Sequence, residues 1–489
     1  MRKPLTVAAL LILVSSTPAV AQDAKTVIDL ATRTLGATGL TSVTYSGSAA
    51  TGNFGQSRTV SFGLASTSIG NYTRTIDFTQ PRSQANGTTM PPTVPGLPPP
   101  QPGTFNQTIA PESPWTQQLQ IWVTPWGFLR GAAANNATMR SQKIEGTTYK
   151  VVTWITPQKA PSGQPYRVVG YINPQNLIEH VETWVEHPIL GDMHVDTMYS
   201  DYQDFGGLKV PTRVDQRQTG MSTFVAKITY ASPNPPNIAQ LVIPPPAPGR
   251  GDGAGAGTGR GAAAGGPPTL PAVASEKLAD GVYRITGGYV SLAVELKDSV
   301  VVLEGGQSEA RGLAVIAETK RLIPNKRIRY VVNTHPHFDH AGGLAPFAAE
   351  GITIITHNSN KYFLEQALGS PRTLVGDALA KSRKKPKLEE FIEMLVLGDS
   401  TRSIELHHIE KLEHSDGMLV AYLPKERILF TADFNVPGPG QPVSPSIATL
   451  VDNIERLKLD FDRHVLVHPP NPDRPMTKAD LMTLAGRAR

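Results

Sequence analysis

Residues 328–343 read "IRYVVNTHPHFDHAGG", and the reading of this stretch decides the fold. A run of five strand-forming residues leads into three histidines and an aspartate within positions 335 to 340. If the chain stays extended as it leaves the strand, His335 and His337, two residues apart, aim their rings at one point. Asp339 and His340, in the turn that follows, face a second point nearby. One loop thus offers ligands to two adjacent metal sites. Imidazole and carboxylate without thiolate suit zinc, with iron, manganese and nickel left open by ligand type alone. Gly342 and Gly343 are expected to let the chain turn sharply into a following helix.

Two ions need more ligands than one loop supplies. His414 in "LEHSDGMLVAYLP", Asp433 in "RILFTADF" and His468 in "HVLVHPP" are the candidates. The last two directly follow apolar strands, at a sheet edge where a loop can face a site. His414 completes three histidines for the first ion, His468 joins Asp339 and His340 at the second, and the Asp433 carboxylate can bridge both. His407 and His408 compete with His414, and His464 competes with His468. His357, after another strand, is expected to be solvated near the start of the next helix.

This ordered set, "THPHFDH" followed by His414, Asp433 and His468, resembles the metallo-β-lactamase superfamily over residues 273–489. The resemblance implies an αββα sandwich with a two-metal centre on one edge, with Zn2+ at two per chain. It carries the first-metal role to His335, His337 and His414, the second to Asp339, His340 and His468, and the bridge to Asp433. Glu304 stands where that family commonly has a supporting Asp. Ala432 and Pro469 stand where it usually has Gly, which bears on loop shape and substrate choice.

A hydroxide held between two divalent ions is a nucleophile at neutral pH and attacks a carbonyl polarised by one of them. Asp339 is the candidate catalytic residue, orienting that hydroxide or moving a proton. The expected function is hydrolysis of an ester, lactone, thioester or lactam, with a small-molecule substrate. Two alternatives are a mononuclear iron dioxygenase acting on persulfides and a non-catalytic periplasmic carrier or binding protein. A lactamase with a cysteine ligand is excluded, because the chain has no cysteine. Nucleic-acid-processing relatives carry a large insertion after the bridging aspartate, where this chain has 34 residues between Asp433 and His468. A formal charge of +5 over 489 residues gives nucleic-acid binding little support, and "KSRKKPK" (381–387) reads as a solvated face.

The whole chain reads as α+β and multi-domain. Residues 1–21 have the layout of a cleaved secretory signal, two positive charges, an apolar run from Leu5 to Val14 and small residues at Ala19 and Ala21. A periplasmic or secreted protein with no membrane span after signal removal is expected. Residues 22–243 contain "TYKVVTWIT", "YRVVGYIN", "IEHVETWVE" and "LKVPTRVDQRQT", runs of an antiparallel meander. A short amphipathic helix, "TVIDLATRTL", precedes them, with Val27, Leu30, Ala31 and Thr34 on one side. With "VVGYINPQNLIEHVETW" and "YSDYQDFGGLKVPTRV", this region resembles the half-barrel of periplasmic lipoprotein carriers. That implies a possible lipid-like ligand, although all five tryptophans lie here and are often simply core. Residues 244–272 are a Pro/Gly/Ala-rich linker. From 273 onward strands alternate with helices, "SLAVEL", "DSVVVLE", "EARGLAVIAETKRL", "ITIITH" and "SIATLVDNIERLKL", the pattern of a layered α/β catalytic domain.

Overall fold

The computed structural model describes residues 24–60, 64–93, 99–242, 270–438 and 443–487. The expected signal and nearly all of the expected linker lie outside these residues. Three sheets are present among the described residues. The first has eleven strands, all antiparallel, between Ser42 and Pro233. Its first strand, Ser42–Gly52, pairs with its last, Met221–Pro233. The strands Gly103–Ile109 and Thr138–Ile144 therefore form the two open edges. The chain crosses from one edge to the other through helices Trp115–Trp122 and Pro125–Ala134.

Alternation explains this sheet. In Ile178–His187 every second or third residue is buried, Ile178, Val181, Thr183 and Val185, while His180 and Glu182 face outward and pair with Asp196 and His194 of the next strand. The tryptophans are packing residues. Trp115 stands edge-on to Trp154 with ring centroids 6.1 Å apart and stacks on Tyr166 at 5.6 Å. The first helix, Ala24–Thr34, buries Val27, Ile28 and Ala31, so Ile28 takes the place expected for Leu30 and Thr34. A cavity of about 40 Å³ remains beneath the helices, lined by Tyr45, Tyr72, Trp126, Tyr199 and Phe224 beside Arg74. That is room for roughly three waters.

The remaining sheets, of seven and five strands, lie in the C-terminal region. Strand Ser299–Leu303 is buried at all five positions. Val300 and Val302 belong to the cluster that includes Val315 and Ile316 of helix Glu309–Leu322. Val301 and Leu303 belong to the cluster with Leu406, Leu419 and Leu429 of the five-stranded sheet. A strand buried on both faces reads as a continuous apolar run for this reason. Helix Pro445–Leu457 lays Ile447, Leu450, Val451 and Ile454 on the second cluster, so the layers run helix, sheet, sheet, helix.

The N-terminal sheet also touches this sandwich. Its apolar residues and those of the outer helix layer form one continuous cluster. Residues Pro371–Leu374 pack on the N-terminal sheet: the Asp192 amide donates to the Pro371 carbonyl, and Asp192 accepts from Thr373 and Leu374.

Candidate metal centre

The central strand Arg327–Val332 ends at the motif. His337 remains extended, with φ −57° and ψ 146°, before one helical turn over Phe338–Ala341. The extended step brings the rings of His335 and His337 to 4.5 Å between centroids, and the turn swings Asp339 and His340 to the other side. Gly342 and Gly343 serve a different purpose from the one expected. Their φ values are −62° and −90°, open to any residue, but a Cβ on Gly343 would lie 2.1 Å from the Gly305 carbonyl oxygen. Close approach of two backbones demands these glycines, not the turn.

All seven candidate ligands converge. Ligand atoms of His335, His337, His414 and Asp433 lie within 4.8 Å of one another, and so do those of Asp339, His340 and His468. Asp433 joins the two groups. Its Oδ2 is 3.1 Å from His335 Nε2 and 2.7 Å from His414 Nε2, whereas its Oδ1 is 3.0 Å from His340 Nε2 and 2.7 Å from His468 Nε2. Although close, these atoms are poorly aligned for hydrogen bonding: His335 Nε2, His337 Nδ1, His414 Nε2 and Asp433 Oδ1 have no hydrogen-bond partner among the described residues. Buried, unpaired nitrogens and carboxylate oxygens pointing at common centres are costly unless a cation takes them. The donor set therefore fits a pair of divalent ions.

The surrounding groups select which ring nitrogen faces each centre. Thr334 donates its hydroxyl to Glu304 Oε2 at 2.6 Å, leaving its oxygen to accept from His335 Nδ1 at 3.2 Å. Glu304 Oε2 also lies 3.3 Å from His340 Nδ1, and His337 Nε2 donates to the Ser57 carbonyl at 3.0 Å. His335 Nε2, His337 Nδ1 and His340 Nε2 are thus left facing inward. Glu304 and Asp433 both adopt left-handed backbone, φ 72° and 58°, a strain that clusters at working sites.

Charge is organised accordingly. Burial, reinforced by His340, holds His335 well below the usual histidine range, and burial with His414 alongside lowers His337 to about 4. Burial also opposes a charge on His340, but the Asp433 and Glu304 carboxylates outweigh it and raise that residue. Asp433 is pushed up by burial yet held far below the carboxylate range by His340 and the close approach of His335 and His414. The carboxylates call for positive charge here.

The competing histidines lie elsewhere. His407 pairs with Glu405 at 3.1 Å, His408 Nε2 donates to the Asp416 carbonyl, and His464 contacts the Thr431 hydroxyl. His357 is buried rather than solvated, 7% exposed, stacked on His408 at 4.2 Å; its ring accepts from the Ser359 amide to cap the next helix. His187 packs on Phe338. Sequence reading missed Tyr289, which donates to Asp339 Oδ2 at 2.7 Å, and Gln56, which donates to Asp339 Oδ1 at 2.6 Å.

Residues 285–468 match the family model described as the metallo-beta-lactamase superfamily. The C-terminal region thus carries the fold of a family of hydrolytic enzymes. Solved structures similar to it include the metallo-beta-lactamase from Pontibacter korlensis, 16% identical with a TM-score of 0.35, covering 44% of this chain and 99% of that one. Another, from Hirschia baltica, is 20% identical with a TM-score of 0.33, covering 45% and 98%. The curated 2,4-dinitroanisole O-demethylase subunit alpha of Nocardioides sp. (strain JS1661) is 26% identical over 207 residues, 40% of this chain. The match spans 58% of that relative's length.

Proposed function

We propose that the metallo-beta-lactamase domain is a two-zinc hydrolase that cleaves an ester or lactone in preference to a β-lactam. The observation that carries this reading is Asp433, whose two oxygens face two separate groups of histidine nitrogens. His335, His337 and His414 would hold one ion, Asp339, His340 and His468 the other, and Asp433 both. When bound, the ions supply Lewis acidity toward a carbonyl oxygen and make water acidic enough to attack near neutral pH.

The chain's own groups do the rest. His335 and His340 are fully buried, whereas the side chains of Asp339, His414 and His468 are 33%, 32% and 25% exposed. Substrate therefore enters over these three. Asp339 sits at this mouth with both oxygens already held, by Gln56 and Tyr289, which fixes it in position to take the proton leaving the attacking water. Neither Gln56 nor Tyr289 brings a positive charge to the rim. The basic run 381–387 leads into the start of strand Lys387–Phe391, at the opposite end of the parallel strands from the site. Neutral groups beside Asp339 suit neutral carbonyl substrates better than anionic ones.

Elemental analysis of the purified full-length chain is expected to find about two zinc ions per protein. One iron and no zinc, with oxygen uptake on a persulfide, would overturn the hydrolase reading. A panel of aryl esters, lactones, a thioester and a cephalosporin is expected to show esters or lactones turned over fastest. Because the curated relative is named for 2,4-dinitroanisole, that compound joins the panel. A cephalosporin hydrolysed faster than every ester reverses the ranking.

A further inference from the structure

We propose that the loop Asn53–Arg58 of the N-terminal sheet is a working part of the metal centre, with Gln56 a positioning residue for Asp339 and the Ser57 carbonyl setting the tautomer of His337. This rests on the two-ion reading above and assigns a role to a region outside the matched domain.

The loop lies in the connection between strands Ser42–Gly52 and Ser66–Asp77 and is fastened to two of the ligand-bearing loops of the sandwich. On one side, the Phe338 amide donates to the Gly55 carbonyl at 3.0 Å, and Phe54 stands edge-on to Phe338 with centroids 5.2 Å apart. On the other side, the Asp416 amide donates to the Arg58 carbonyl at 2.9 Å, and the Arg58 guanidinium reaches Asp416 at 2.7 Å and Glu413 at 3.2 Å. Phe338 lies between His337 and Asp339, and Glu413 and Asp416 flank His414. A single strap thus spans the segment that would supply ligands to both ions and the segment that would supply His414 to the first. Gly55 makes the fit possible: its φ is +83°, and a Cβ there would fall 2.2 Å from the Phe338 ring.

Between these anchors the two functional contacts follow. Gln56 Nε2 donates to Asp339 Oδ1 while Tyr289 holds Oδ2, so the carboxylate is clamped from both sides. A neutral amide orients a carboxylate without neutralising it, leaving its charge for a metal. The Ser57 carbonyl accepts from His337 Nε2, so the proton stays on that nitrogen and Nδ1, which has no partner among the described residues, faces the first centre. Outer partners of this kind change metal affinity by roughly 10–100-fold.

The test titrates zinc-loaded full-length protein with a chromogenic chelator, following the release of each ion. Gln56→Ala is expected to release one ion, the one Asp339 would hold, at about 10–100-fold lower chelator concentration, leaving the other as in the parent. Replacing residues 54–58 with glycines is expected to weaken both. With cobalt in place of zinc, the visible spectrum should change in both variants, which a merely structural loop would not cause. Gln56 sits in a partly exposed loop, so its variant decides the matter even if the glycine replacement fails to fold. If the parent binds two ions and Gln56→Ala holds both as tightly with an unchanged cobalt spectrum, the proposal is overturned while the two-ion reading stands. A parent that binds no divalent metal overturns both.

Discussion

Asp433→Asn is expected to leave the chain folded, to reduce the bound metal to at most one ion, and to lower kcat/KM by about three orders of magnitude, on the order of 4 kcal/mol of transition-state stabilisation. The carboxylate divides its oxygens between the two groups of histidines, and an amide offers only one oxygen and no charge. Asparagine is the informative replacement because residue 433 has φ 58°, a conformation Asn tolerates better than most residues. Asp433→Ala removes the same ligand but adds about 1–2 kcal/mol of backbone strain, so its loss of activity mixes two causes. His335→Ala and His340→Ala should each lose metal and activity as well, one from each group. Metal content, circular dichroism and kinetics on the same preparation separate the effects. Two retained ions with activity within tenfold of the parent in Asp433→Asn would remove the bridge from the argument.

The centre was readable to the extent that its parts are local. His335, His337, Asp339 and His340 are fixed relative to one another by one strand end and one helical turn, which short-range periodicity describes. Asp433 and His468 were readable because each follows an apolar strand, Ile428–Thr431 and Arg463–Leu466, so the strand ends carry them to the same edge. His407, His408 and His464 bear the same side chain but lie within strands, where alternation and neighbouring polar groups, not the site, determine their direction. What sequence could not show is contact across long separation. Gln56 and Asp339 are 283 residues apart, and "GNFGQSR" has no pattern that marks it as part of a site. Tyr289 sits in an ordinary turn, and nothing local relates it to Asp339. His357 misled for a similar reason: a histidine at a helix start reads as solvated, but Phe391 of the neighbouring strand and the stacked His408 from the other sheet bury it.

The expected tether between the two halves also bears on stability, because the structure adds a buried seam the sequence does not announce. Arg372 is 8% exposed and Asp377 3%. The guanidinium pairs with the Asp377 carboxylate and donates to the carbonyl of Ile189 at 3.0 Å and to that of Pro188, both in the N-terminal half. Asp377 in turn caps helix Ala378–Ser382 by accepting from the Ala380 amide. Arg372→Ala leaves a buried carboxylate without its cation and two carbonyls without donors, and should cost about 3–5 kcal/mol. Because all five tryptophans lie between residues 115 and 184, their fluorescence reports unfolding of the N-terminal sheet alone, while metal release reports the catalytic half. In the parent the two signals are expected to change together with denaturant. In Arg372→Ala they should separate, because a buried link that helps the halves unfold as one has been removed. The pair Arg372→Met with Asp377→Asn, which removes both charges, should recover part of the loss. Coincident transitions in Arg372→Ala at the parent's midpoint would show that this buried pair contributes nothing to coupling the halves.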